Sequence, residues 1–176
     1  MTASESLILT VLEIQKNFDM LKNMVLDIRL FKSEDAREIS PMIHRAVCIR
    51  DNAGYTQAQI ESLASHYTPE NFCKDLERKV IYVCTEENKV IGTATLRDDE
   101  IMAVFVEPEH QGRGIGTCLM DFLEHEALAK RIERVWLVAG LPAVKFYEKR
   151  GYEFVREKQH PSWGKGIVMS KCIRAL

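Results

Sequence analysis

The sequence predicts a single α/β domain. Three observations carry this. Short apolar runs of strand length recur between segments with a helical period. Two of those runs, residues 80–86 and 89–96, are separated only by Glu87 and Asn88, which is the spacing of a hairpin. The chain has 176 residues, enough for one domain with a substantial core, and it contains no internal repeat or low-complexity tract.

The elements follow in order. Leu7, Val11, Ile14, Phe18, Leu21 and Val25 are spaced by alternating fours and threes, so they share one helical face. Residues 1–25 therefore read as a helical extension, either a dimerisation helix or one packed on its own domain, ahead of a domain at 26–176. Residues 26–31, "LDIRLF", alternate and predict a strand. Ser33 caps a helix over 34–48 whose apolar face holds Ala36, Ile39, Ile43 and Val47. Pro41 inside it predicts a kink or a late start. "DNAG" at 51–54 is a turn, a second helix follows Thr56, and Pro69 opens a third short one. The hairpin comes next, and "RDD" turns the chain into a strand starting at Glu100. A glycine-spaced loop then leads into a helix over 114–130. A buried strand at 134–140, a helix over 142–151 and a final antiparallel pair complete the domain. "HPSWGKG" reads as a loop over a pocket rather than as strand.

Composition removes several classes of function. Apolar residues make up 46% and charged residues 28%, and the formal net charge is −2. No global field then draws the chain to nucleic acid or an anionic membrane. No apolar run reaches the roughly 18 residues of a membrane span. The N-terminus has neither the basic start nor the cleavage site of a signal peptide. The five cysteines are odd in number and widely spaced, with no Cys-x-x-Cys, so neither a disulfide framework nor a metal site is expected. They suit a reducing cytoplasm.

The loop "QGRGIGT", Gln111 through Thr117, is the strongest chemical signal. It runs from a strand into a helix. Glycines let a ligand approach the backbone, and the first amides of a helix lack intrahelical partners and carry partial positive charge. Together they form an anion site, most naturally for phosphate. The spacing is neither that of a nucleotide P-loop nor that of a dinucleotide fold.

Gln111-x-x-Gly114-x-Gly116 resembles the Gln/Arg-x-x-Gly-x-Gly/Ala signature of the GCN5-related N-acetyltransferases. About 35 residues later, "AVKFYEKRGYEF" resembles that family's Ala-x-x-Phe-Tyr-x-x-x-Gly-Phe/Tyr segment. The resemblance covers roughly residues 26–173. It implies a mixed, mostly antiparallel sheet of about seven strands with about four helices, whose two central parallel strands splay apart. It implies acetyl-CoA as co-substrate, without a metal. The pyrophosphate would sit on the amides of Gly112, Arg113, Gly114, Ile115, Gly116 and Thr117, with Gln111 in the same loop. The backbone of Val104, Phe105 and Val106 would pair with the pantetheine arm. Arg113 would contribute its backbone and leave its side chain in solvent.

The same resemblance places Tyr147 where the family has its thiolate acid, with aromatic packing against the cofactor as the alternative. Tyr152 takes the family's structural aromatic position. Glu100 stands where some members relay the amine proton. It is alternatively a solvated strand end or a substrate-orienting charge. His44, His66 and His110 are weaker candidate bases. The oxyanion donor would be a backbone amide of residues 104–106. Many members carry an asparagine seven residues before the tyrosine; this chain has Gly140. A covalent route through Cys84 or Cys118 is not expected, for neither has a neighbour that would lower its pKa.

The family's acceptor pocket maps to residues 45–67 and 159–165, which hold Tyr55, His66, Tyr67, His160 and Trp163. Asp51, Glu61 and Glu100 would favour a cationic acceptor. The expected reaction is direct acetyl transfer to a primary amine of a small molecule, or of a peptide or protein. Two rival readings are a non-catalytic acyl-CoA-binding or sensing module, and an interaction protein that uses the N-terminal stripe.

Overall fold

A computed structural model describes residues 26–48, 54–76, 78–161 and 163–174. The apolar stripe from Leu7 to Val25, Asp51 and most of the predicted turn around it lie outside the described residues.

Strands β1 (Leu26–Leu30), β2 (Val80–Glu86), β3 (Lys89–Arg97), β4 (Glu100–Val106), β5 (Arg134–Gly140), β6 (Glu153–His160) and β7 (Gly164–Cys172) form one sheet in the order β1-β2-β3-β4-β5-β7-β6. Every neighbouring pair is antiparallel except β4 and β5. Among the described residues five helices accompany the sheet, close to the about four that the resemblance implies: α1 (Ala36–Cys48), α2 (Gln57–His66), α3 (Pro69–Asp75), α4 (Ile115–Ala129) and α5 (Val144–Lys149).

The sheet carries a core on each face. Ile81 and Val83 point to one side with Ile39, Met42, Ile43 and Val47 of α1. Tyr82 and Cys84 point to the other with Leu119, Met120 and Leu123 of α4. Coverage on both sides explains why β2 and β3 read as continuous apolar runs rather than alternations. Each fully buried Leu or Ile contributes roughly 1.5–3 kcal/mol.

The predicted kink at Pro41 takes another form. Residues Ser33–Asp35 make a 3-10 turn, and α1 then runs unbroken through Pro41. Pro41 is exposed, so the carbonyl that loses its helical donor faces water. Ser33 does not act as the predicted cap: it lies inside the 3-10 turn, and the Asp35 carboxylate accepts from Lys32 N instead. Thr56 and Thr68 cap α2 and α3 with their hydroxyls. "HPSWGKG" is largely strand: His160 ends β6 and pairs with Gly164, and Gly164 to Gly166 open β7.

What shapes the site is the pairing of β4. It meets β5 only at Glu100–Trp136 and Ile101–Leu137. On its other edge Thr95 pairs with Met102 but Thr93 with Phe105, so β4 holds one extra residue. Ala103 sits in that bulge with φ at 48°. Left-handed backbone on a residue with a Cβ costs on the order of 1 kcal/mol or more. The bulge bends β4 away from β5, and a gap opens between them.

Candidate active site

Glu107 leaves β4 with its amide still bonded to Ile91 O at 2.9 Å. By the alternation of a strand, Val104 and Val106 then aim their backbone groups into the gap, while Phe105 stays in register with Thr93. The side chain of Gln111 turns back, and its Nε2 donates to Val106 O at 3.1 Å. It closes the loop. Gly112 and Gly114 have φ of 75° and 82°, and Gly114 is the N-cap of α4. Cys118 N makes the first helical bond, to Gly114 O at 3.0 Å. The amides of Ile115, Gly116 and Thr117 come before it and have no intrahelical acceptor.

Side chains brace this loop from behind. Glu107 is buried and accepts from Arg45 Nε at 2.9 Å and Nη2 at 2.5 Å. The guanidinium holds the Glu107 carboxyl below its ordinary range. Glu86 accepts from Arg113 Nη2 at 2.8 Å and lies 3.2 Å from His110 Nε2. The Arg113 side chain is thus engaged with Glu86 rather than left in solvent. Neither Glu107 nor Glu86 was legible as part of the site, since Arg45 and Glu86 are distant in sequence.

Three chambers follow one another along the gap. A donor-side chamber of about 550 Å³ is lined by the loop, Val104, Val106, Phe146 and Tyr147. A middle chamber of about 130 Å³ shares Val104, Phe105, Ala143 and Tyr147 with it and is otherwise mostly apolar and aromatic. An outer chamber of about 510 Å³ shares Leu63, Tyr67, Ile101, Ala103, Val138 and Trp163 with the middle one. The donor-side and outer chambers have no lining residue in common.

Tyr147 is buried at the border of the first two chambers, edge-on to Phe146 at 5.0 Å and to Tyr152 at 5.7 Å between ring centres. Glu100 lines only the outer chamber, where it is buried and ion-paired with Arg97. The structure therefore separates these two residues by the middle chamber. Of the histidines, His66 joins Glu100, His110 lies at the loop, and His44 is exposed beside Cys48. Burial pushes the Cys84 thiol up to about 12 and raises that of Cys118, which leaves both poor nucleophiles. Tyr152 donates to Glu124 at 3.1 Å within the core.

Tyr55, Tyr67 and Trp163 line the middle chamber as one wall. Tyr55 also ties the site together. Its hydroxyl donates to Lys165 O at 2.6 Å and accepts from Leu141 N at 3.0 Å, just past Gly140. Glu61 is exposed, bonded to Gln57, and lines none of these chambers. It offers nothing to a cationic acceptor.

The model of the acetyltransferase (GNAT) family matches residues 49–152, more than half of the chain. The chain belongs to the GNAT acetyltransferases. It is an acyl-CoA N-acyltransferase with acetyl-CoA as co-substrate. GCN5-related N-acetyltransferase 2 of Arabidopsis thaliana is 36% identical over 73 residues, spanning 39% of this chain and 28% of that protein. The peptidyl-lysine N-acetyltransferase YjaB of Salmonella typhimurium is 24% identical over 81% of this chain and 93% of its own. A GCN5-related N-acetyltransferase from Rhodopseudomonas palustris superposes with a TM-score of 0.78 at 25% identity, covering 83% of this chain and 94% of that one. The PaiA N-acetyltransferase from Thermoplasma acidophilum, solved in complex with coenzyme A, shares the fold with a TM-score of 0.72 at 19% identity over 85% of this chain and 99% of that one. The splayed β4–β5 pair is thus the central gap of a GNAT sheet.

Proposed function

We propose that this GNAT enzyme moves an acetyl group directly from acetyl-CoA to the primary amine of a small molecule. The observation that carries this reading is the position of Tyr147, between a chamber walled by free helix-start amides and one suited to an amine. The amides from Gly112 to Thr117 take the pyrophosphate, with Arg113 contributing only backbone. Val104 and Val106 bond to the pantetheine arm along the open edge of β4, while Phe105 supports them from below. A phenol is protonated at neutral pH, so the Tyr147 hydroxyl can donate to the departing sulfur. An amide of residues 104–106 stabilises the oxyanion. Glu100 lines the outer chamber and not the middle one, so it takes the proton, directly or through water, as the amine passes the outer chamber on its way to Tyr147.

A peptide or protein lysine is the second acceptor reading. The apolar middle chamber suits a lysyl stem, and the relatives YjaB and YiaC are named peptidyl-lysine N-acetyltransferases. We place the enzyme in the cytoplasm and keep both readings of the stripe in residues 1–25, a homodimer contact or a segment packed on its own domain.

The test is titration of acetyl-CoA against the wild type and Gly116→Glu. A Cβ at Gly116 would lie 3.5 Å from Phe146 and 3.8 Å from Val106, ordinary contact distances, so the carboxylate enters the chamber without backbone strain. Gly114, with its positive φ, is a poorer choice. Binding by the wild type and loss in the variant support the reading. Binding by neither, with both folded, would sink it.

A further inference from the structure

We propose that the outer chamber is an anion subsite, so that the acceptor is an amine carrying a carboxylate at the far end of an apolar stem. This rests on the acetyltransferase reading above and goes on to name the acceptor's chemistry.

Four groups that are, or can become, cationic face this chamber: Arg97, Lys158, His66 and His160. Glu100 is the one acid among its described lining residues, and it is already engaged by Arg97. Lys158 is half-buried and makes no hydrogen bond or ion pair among the described residues. An ammonium on the wall of a partly enclosed chamber, without a counter-ion, attracts a negative partner. The imidazole beside it responds to the same field. Burial first, then Lys158, then His66 hold His160 below its ordinary pKa. His160 is fixed by stacking on Trp163, with ring centres 4.8 Å apart and planes 15° apart. An incoming carboxylate supplies the counter-charge to Lys158.

The middle chamber sets the rest of the molecule. Between Tyr147 and Lys158 the shared walls are Leu63, Ile101, Val138 and the Tyr67 and Trp163 rings. No charged side chain lines that stretch. It accepts methylenes or a ring, and it disfavours a second charge near the amine. The order along β4 is therefore amine, apolar spacer, anion. A free ω-amino acid has this pattern, and so does a lysine side chain beside an acidic residue.

The experiment measures kcat/KM with acetyl-CoA for the full chain in two arms. The first runs from 4-aminobutyrate to 8-aminooctanoate, each against its carboxamide. The second uses a capped lysine peptide with glutamate or glutamine beside the lysine. Both are repeated with Lys158→Met and Lys158→Glu, with acetyl-CoA binding as the check of folding. The expected result is about a tenfold preference for the carboxylate in at least one arm, as an ion pair of about 1.4 kcal/mol gives. That preference vanishes in Lys158→Met and inverts in Lys158→Glu, and the stronger arm names the source. Equal or better use of the carboxamides overturns the subsite and leaves the transferase standing. Acetyl-CoA binding without turnover in either arm overturns the subsite, and turnover of an uncharged alkylamine in the same assay shows that the transferase reading survives it. Failure to bind acetyl-CoA removes the donor half as well.

Discussion

The two ends of the gap, which we propose hold the acetyl donor and the acceptor, are built in opposite ways. The donor end is built mostly from one continuous stretch, Val104 through Thr117, which offers backbone, with Phe146 and Tyr147 closing it from α5. Its polar side chains turn inward: Gln111 to Val106, Arg113 to Glu86, Glu107 to Arg45. The acceptor end is assembled from α2, β4, β5 and the β6–β7 hairpin, and it offers side chains. A backbone site tolerates exchange of side chains but not a group placed in the ligand's path. A side-chain site has the reverse tolerance. One half can then stay fixed to a common donor while the other is refitted to different acceptors.

The comparison is sharpest if the two ends fail separately. The largest effect is expected from Gly116→Glu. A carboxylate about 4 Å from the pyrophosphate costs roughly 4 kcal/mol at an effective dielectric constant near 20, about a thousandfold in acetyl-CoA affinity. The fold should hold, because glutamate in the first helical turn favours the dipole. Calorimetry and circular dichroism check both parts.

Tyr147→Phe comes next. Loss of a positioned acid should lower kcat by about a hundredfold, with acetyl-CoA affinity nearly unchanged. Steady-state kinetics beside a binding titration separate the two. An unchanged kcat would reduce Tyr147 to a packing role.

Arg45→Ala tests the bracing of the donor loop. It leaves Glu107 buried without its partner, a loss of roughly 2 kcal/mol. The native Glu107 pKa is depressed, so its stabilising contribution is present above the ordinary carboxylate range and is lost as pH falls through the native value. The gap in melting temperature between variant and wild type should therefore be widest near pH 7 and close in acid. A constant gap down to pH 3 would contradict this.

The smallest effect is expected at Gly166. A Cβ there would stand 2.7 Å from the Trp163 ring and 2.8 Å from Val138. Gly166→Ala should shift that wall, cost about 1 kcal/mol of stability and raise the acceptor KM several-fold. Acetyl-CoA affinity should not move, and a parallel change in both would show that the ends are coupled.

The strand–loop–helix passage from Val104 to Thr117 was legible because its signals are local. Positive φ at Gly112 and Gly114 and the strand-to-helix passage are written in neighbouring residues. Pro41 misled because the cost of a proline depends on which face of the helix it occupies. "HPSWGKG" misled because strand pairing with β6 overrides a weak local pattern.

By itself the sequence determined the order of elements, the loop that starts α4 and the place of Tyr147, since each depends on contacts within a few residues. Tertiary structure alone decided the rest. The bulge at Ala103 opens β4 from β5, although alanine carries no signal for a left-handed backbone. The Arg45–Glu107 clamp joins residues 62 positions apart. The convergence of Glu100, Arg97, Lys158 and His160 on one chamber depends on how the β6–β7 hairpin folds over the gap. These are long-range placements, fixed by packing and pairing across the whole sheet, and no short window of residues encodes them.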